Sequence, residues 1–165
     1  MAVREILRLG NPALYEVCEE VVPGELDHMR SIVVDLHDTM MDFREKYGFG
    51  KAIAAPQIGV KKRLVYMHID EPAVFINPIL SSKCGDMMEL WDNCMSFPEL
   101  LVRVKRHRRC RIEYRDIDFK KESMELTDEL SELLQHECDH LDGVLAVMRA
   151  IDERSFALVT EKSRL

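Results

Sequence analysis

Hydrophobic residues in the first third of the chain recur at three- and four-residue steps: Leu26, Met29, Ile32, Val33, Leu36, Met40 and Phe43. That spacing predicts an amphipathic helix of about six turns, with Pro23 just before it and Gly48 just after it, where each is favoured. Beyond it the period shortens. Leu64–Met67 and Val74–Ile76 read as short strands, the second ended by Asn77-Pro78. Cys110, Ile112 and Tyr114 alternate with Arg109, Arg111 and Glu113, the pattern of a half-buried strand. Ser123–Leu126 is its expected partner, across a turn at Asp116-Ile117-Asp118. A second helix is predicted from about Thr127, as its N-cap, to Asp142-Gly143. Strands grouped between two helices predict an α+β fold with antiparallel pairing rather than a repeated βαβ series. No linker, repeat or low-complexity tract divides the chain, so residues 1–165 are expected to form one domain.

Composition narrows the function classes. The chain is 47% hydrophobic and 32% charged, enough for a real core. Its 30 acidic residues outnumber 23 Lys and Arg, for a net charge of −7, which argues against a nucleic-acid backbone as partner. No apolar run is long enough to span a membrane, and Met1 to Leu7 carry no secretory signal, so a cytoplasmic protein is expected. Five cysteines, an odd number without a Cys-x-x-Cys pair, do not read as a disulfide framework. Most are expected to be small buried hydrophobes.

The second helix carries the chemistry. Gln135-His136-Glu137-Cys138-Asp139-His140 contains His-Glu-x-x-His. At about 100° per residue the two histidines lie about 40° apart and one turn along, so their rings can share a cation. Leu130, Leu133, Leu134 and Leu141 fall on a neighbouring apolar arc with Glu137 in its middle. Asp128, Asp139, Asp142 and Gln135 are expected on an opposite, solvated face. A carboxylate on the core side costs several kcal/mol unless it is paired or does chemistry. A catalytic site needs a third protein ligand. Ala146 stands where a zincin protease would place its downstream histidine, so the candidates lie upstream. Cys94, in the polar stretch Asp92-Asn93-Cys94-Met95-Ser96, is only modestly ahead of the other cysteines. A thiolate with two imidazoles and a water suits Fe(II), Zn(II) or Co(II).

Three segments, in order, resemble the peptide deformylase family. Gly50-Lys51-Ala52-Ile53-Ala54-Ala55-Pro56-Gln57 is similar to Gly-x-Gly-x-Ala-Ala-Pro-Gln. Asp92-Asn93-Cys94-Met95-Ser96 is similar to Glu-Gly-Cys-Leu-Ser. Gln135 to Gly143 resembles Gln-His-Glu-x-Asp-His-Leu-Asp-Gly. The likeness runs from Leu9 to about Asp152. It implies antiparallel β-sheets packed around the His-Glu-x-x-His helix, and metal-dependent hydrolysis of the N-formyl group of formylmethionyl peptides on nascent proteins. It also implies one divalent metal on Cys94, His136 and His140, with water in the fourth position. The metal is expected to be Fe(II) in vivo, and Zn(II), Ni(II) or Co(II) in the isolated protein. By the same resemblance Glu137 is the general base, and Gln57 and the backbone N–H of Met95 are the oxyanion donors. Substrate is expected along Ile53, with Ala52 and Asn93 beside it.

The departures from the family pattern are Ala52 for glycine, Asp92 for Glu (with Arg106 its expected partner), Asn93 for glycine in a turn that invites left-handed backbone, Met95 for Leu, and Leu101 where many bacterial members carry arginine. They leave open a related metal amidase or peptidase with altered acyl or peptide specificity. A binding module keeping the metal for stability is a third reading, against which the core-facing Glu137 argues. Lys105-Arg106-His107-Arg108-Arg109 reads as a solvated strand edge, with a transient ribosome contact as the alternative. Neither a membrane nor a specific DNA site is expected as partner.

Overall fold

The computed structural model describes residues 2–165; Met1, the first residue of the N-terminal stretch read above, lies outside the described residues. In chain order the elements are α1 (Leu26–Tyr47), β1 (Ala52–Ala54), β2 (Leu64–His68), β3 (Pro72–Ser81), β4 (Met87–Asp92), β5 (Leu100–His107), β6 (Arg109–Arg115), β7 (Lys121–Thr127), α2 (Asp128–Leu141) and β8 (Phe156–Leu158), joined by short 3-10 turns. Five strands form one sheet in the order β1-β2-β3-β6-β7, and three form a second in the order β4-β5-β8. All the strand pairs are antiparallel, so this is the expected α+β fold.

Period-two patterning explains how the helices are placed. On β2, Leu64 and Tyr66 join Ile53 and Ile76 in a core with Met29, Ile32, Leu36, Met40 and Phe43 of α1. The alternate residues, Val65 and Met67, pack with Ala52, Ala54 and Phe75 against Leu134, Cys138 and Leu141 of α2. The larger sheet is therefore buried on both faces, between the two helices. The far side of α2 meets the smaller sheet through β5, which makes α2 the central element that the site is built on.

Gly48 closes α1 in the left-handed conformation, with φ of 77°, as its position predicted. One expected boundary differs, and one expected cap makes no bond. Asn77-Pro78 does not end β3; the strand runs to Ser81 through a register shift between Ile76 and Ile79. A bulge tolerates a residue with no N–H to donate. Asn77 holds it, with φ of 50°, accepting from Val21 N at 2.8 Å and donating to Val21 O at 2.9 Å. Thr127 occupies the N-cap position but makes no capping bond. It is still paired with Arg109 in the sheet, and the Asp128 N–H donates instead to Arg108 O at 2.8 Å.

The end of α2 is sterically demanding. Gly143 has φ of 71°, and a Cβ there would sit 2.4 Å from the carbonyl oxygen of Tyr15. At Gly59, φ is 81° but nothing lies within 4 Å of the same atom. Gly59→Ala is expected to cost about 1–2 kcal/mol, the left-handed backbone alone. Gly143→Ala adds a backbone clash and should cost at least twice that. Urea unfolding of the two variants checks this; equal losses would mean that the Tyr15 segment gives way freely.

Candidate metal centre and its cavity

His136 and His140 project from consecutive turns of α2, and both are buried. Their Nε2 atoms are 3.2 Å apart, and Cys94 Sγ lies 3.4 Å from Nε2 of His140. All three ligand atoms fall within 4.8 Å of one another, and no other such group of three occurs among the described residues. A tetrahedral ion about 2.0 Å from each nitrogen sets two nitrogens about 3.3 Å apart. The donor set therefore fits a divalent transition metal in both chemistry and spacing.

The outer faces of the imidazoles differ. His136 donates from Nδ1 to Asp92 Oδ2 at 2.8 Å, which leaves its Nε2 lone pair aimed at the centre. Burial opposes a charge on His136, but the Asp92 charge and hydrogen bond outweigh it and raise the imidazole well above its usual range. Burial and the neighbouring His136 push His140 well below that range, and its Nδ1 has no partner. Asp92, the last residue of β4, is buried with Arg106 of β5, whose Nη2 lies 3.4 Å from Oδ2. The same guanidinium pairs through Nη1 with Asp139 of α2, which Arg149 meets from outside at 2.9 Å.

This corrects two sequence expectations. Gln135 and Asp139 are not on a solvated face. Gln135 is buried, donating to His107 O at 2.8 Å and accepting from His107 N at 3.0 Å. The smaller sheet covers the polar side of α2, so polar residues there serve as cross-links. Nor is the run from Lys105 to Arg109 one solvated edge. Arg106 is 4% exposed, Lys105 lies 3.5 Å from Glu89, and Arg108 bridges Asp86 and Asp128.

The loop holding Cys94 is fastened on both sides. Met95 is buried in the α1 core, where its sulfur would lie 3.2 Å from a Cβ at Gly50. The N-terminal segment straps the loop, with Leu9 N donating to Ser96 O at 2.9 Å and Leu7 N to Gln57 O at 2.8 Å. The Gln57 side chain is buried; its Oε1 accepts from Ala54 N at 2.9 Å, so Nε2 faces Ser96 Oγ at 3.1 Å and Cys94 Sγ at 3.6 Å. Three of the departures read from the sequence have plain placements. Asn93 does not take a left-handed backbone, Ala52 packs in the core beneath α2, and Leu101 is buried in β5.

A cavity of about 670 Å³ opens over these groups, lined by Gln57, Cys94, Met95, His136 and Glu137, with Ala52, Asn93 and Trp91 around them. Ile53 itself points away, into the α1 core. Its strand, β1, is an edge of the larger sheet with β2 as its only neighbour, which leaves its other backbone edge for an extended peptide. Glu137 is 4% exposed, and its Oε2 has no hydrogen-bond partner. Burial, helped by Asp92 and Glu132 and opposed by His136, pushes its carboxyl up to about 7. Cys138, beside it in the motif, is driven up to about 12, chiefly by burial, and Cys18 to about 11. Both are inert core thiols, as expected.

Sequence inspection missed Glu132, which also lines the cavity. The signal was present: positions 132, 136 and 140 are each four apart on one helix face.

Comparison with known proteins agrees with this geometry. The family described as Polypeptide deformylase matches residues 3–155. Peptide deformylase 1 of Prochlorococcus marinus (strain MIT 9313) is 37% identical over 175 residues, covering 98% of this chain and 88% of the relative. A Brucella melitensis protein named peptide deformylase-like is 33% identical over 168 residues, covering 100% and 99%. The crystal structure of a Synechococcus elongatus peptide deformylase in complex with actinonin superposes with a TM-score of 0.83 at 26% identity, covering 93% of this chain and 87% of that one. The chain belongs to the polypeptide deformylase family.

Because Asp92 fixes the ring of His136, Asp92→Asn is expected to weaken divalent-metal binding about 10- to 100-fold. Competition with a chelating dye measures this. Unchanged affinity would show that the ring is held by packing alone.

Proposed function

We propose that this member of the polypeptide deformylase family hydrolyses the N-formyl group of formylmethionyl peptides on nascent proteins, in the cytoplasm where translation supplies them. The observation that carries this reading is an unpartnered, buried carboxylate, Glu137, lying between two histidines that converge with a thiol at the floor of a cavity beside a free strand edge. Cys94, His136 and His140 are the residues that would hold one divalent metal, for which we propose Fe(II) in vivo. Bound there, such a cation lowers the pKa of water toward neutrality and polarises the amide carbonyl.

The chain's own residues then have distinct tasks. The backbone edge of β1 at Ala52–Ala54 binds the peptide as an added strand, which sets the formyl carbon over the ligand cluster. Gln57 Nε2 and the Met95 N–H donate to the oxygen as it gains charge. Glu137 takes a proton from the attacking water and gives it to the amine nitrogen as the C–N bond breaks, releasing formate and a free N-terminus. A carboxyl titrating near 7 is suited to both halves of that transfer.

Glu137→Gln fills the same space but cannot carry the proton. We expect metal content and fold to be retained and turnover to fall by orders of magnitude. Activity within about tenfold of wild type, only ~1.4 kcal/mol, would remove Glu137 as base. Acyl selectivity tests the reaction class. With the carbonyl held between Gln57 and the Cys94 loop, an acetyl methyl overpacks the site at about 1–3 kcal/mol. Formyl-Met-Ala-Ser should therefore be preferred over acetyl-Met-Ala-Ser about ten- to a hundredfold. Equal kcat/KM would favour a broader amidase.

A further inference from the structure

Glu132 holds no ligand and moves no proton, yet it sits in the cavity wall one turn before His136 on the same face of α2. Among the described residues no hydrogen bond or ion pair reaches its carboxylate. Its neighbour Glu129 is engaged by Lys51 at 3.4 Å. Of the cations nearby, Arg44 donates to Gly50 O and His68 O at 2.8 and 2.7 Å and Arg106 pairs with Asp92 and Asp139, while Lys51 and Lys162 also line the cavity without an ion pair to Glu132. Burial pushes the Glu132 carboxyl up to about 7, with Asp92 adding to the rise and His136 and Arg106 opposing it. The walls around it include apolar surface from Leu133, Trp91 and Phe49. Glu132 is half-buried and unpaired, so a donor that enters the cavity would give its carboxylate a partner that the protein does not.

Four residues of helix separate Glu132 from His136, a rise of about 6 Å. That matches the reach of a long unbranched side chain on the residue whose formyl group lies at the ligand cluster. We propose that Glu132 is a specificity-determining residue that broadens the substrate class beyond formylmethionyl peptides. It favours formyl peptides whose first side chain ends in an ammonium or another hydrogen-bond donor over apolar side chains of the same length. This rests on the deformylase reading of the cavity. A methionine side chain still fits the apolar walls but leaves the carboxylate without a partner.

The test compares formyl-Lys-Ala-Ser with formyl-norleucyl-Ala-Ser, whose first side chains have the same carbon length but differ in the terminal ammonium. The metal-loaded wild type is set against Glu132→Leu and, as the isosteric variant, Glu132→Gln. A hydrogen bond between charged groups is worth about ten- to a hundredfold. The lysyl-to-norleucyl ratio of kcat/KM should therefore fall at least tenfold in Glu132→Leu, mainly through loss with the lysyl peptide, and part of the way in Glu132→Gln. A smaller fall in Glu132→Leu overturns the proposal. Independently of turnover, Trp91 is the single tryptophan and lines the cavity. Its fluorescence follows binding of the deformylated peptides Lys-Ala-Ser and norleucyl-Ala-Ser. Tighter binding of the lysyl peptide that disappears in Glu132→Leu and is reduced in Glu132→Gln supports the proposal, and equal binding by the wild type overturns it. If no formyl peptide is hydrolysed, formyl-Met-Ala-Ser included, the deformylase reading fails, and the fluorescence titration alone decides the role of Glu132.

Discussion

Arg106 is a cation almost wholly removed from water, and the geometry of the candidate metal centre depends on how it is compensated. Its guanidinium reaches Asp92 at the end of β4 and Asp139 on α2, while Asp92 turns its remaining capacity to His136. One ionic chain thus ties both sheets' shared helix to the strand that leads into Cys94. Taking such charges out of water costs several kcal/mol each, and removing one partner typically costs 3–5 kcal/mol. What the arrangement supplies is an orientation. Hydrophobic packing would hold the smaller sheet against α2 just as well, but would not specify which way the His136 ring faces.

A second constraint comes from the opposite side of the larger sheet. The α1 core receives Met95, and the N-terminal segment crosses both the Gln57 and Ser96 loops. Cys94, Gln57 and Met95 are thereby held by packing and backbone hydrogen bonds, whereas the His136 ring is held by charge. The cavity between them is left with two carboxylates that the protein does not satisfy. Glu137 has a partner in the proposed proton transfer, and Glu132 is assigned one in the substrate.

Much of this was legible in the sequence, and what was not has a common cause. Both helices and the β6–β7 pair follow from apolar periodicity, because each has one face against an apolar core, and the His-Glu-x-x-His cluster follows from motif spacing on the second helix. The smaller sheet was hidden because β5 alternates Val102, Val104 and Arg106 on its inner face. Arg106 occupies a core position that a hydropathy pattern scores as surface. Gln135 and Asp139 were misplaced for the same reason: polar residues that cross-link a helix to a second sheet look like solvated ones until that sheet is in place. Asn77-Pro78 looked like a strand terminator because a bulge is decided by a distant partner, Val21, that local sequence does not reveal.

The proposed metal site joins a thiolate from the smaller sheet's loop to two imidazoles from α2. X-ray absorption on protein purified without oxygen and carrying a single divalent transition metal measures that ligand set directly. One sulfur and two imidazole nitrogens are expected in the metal's coordination shell, with the sulfur lost in Cys94→Ser. A wild-type spectrum with no sulfur, or a sulfur that survives that substitution, would contradict it.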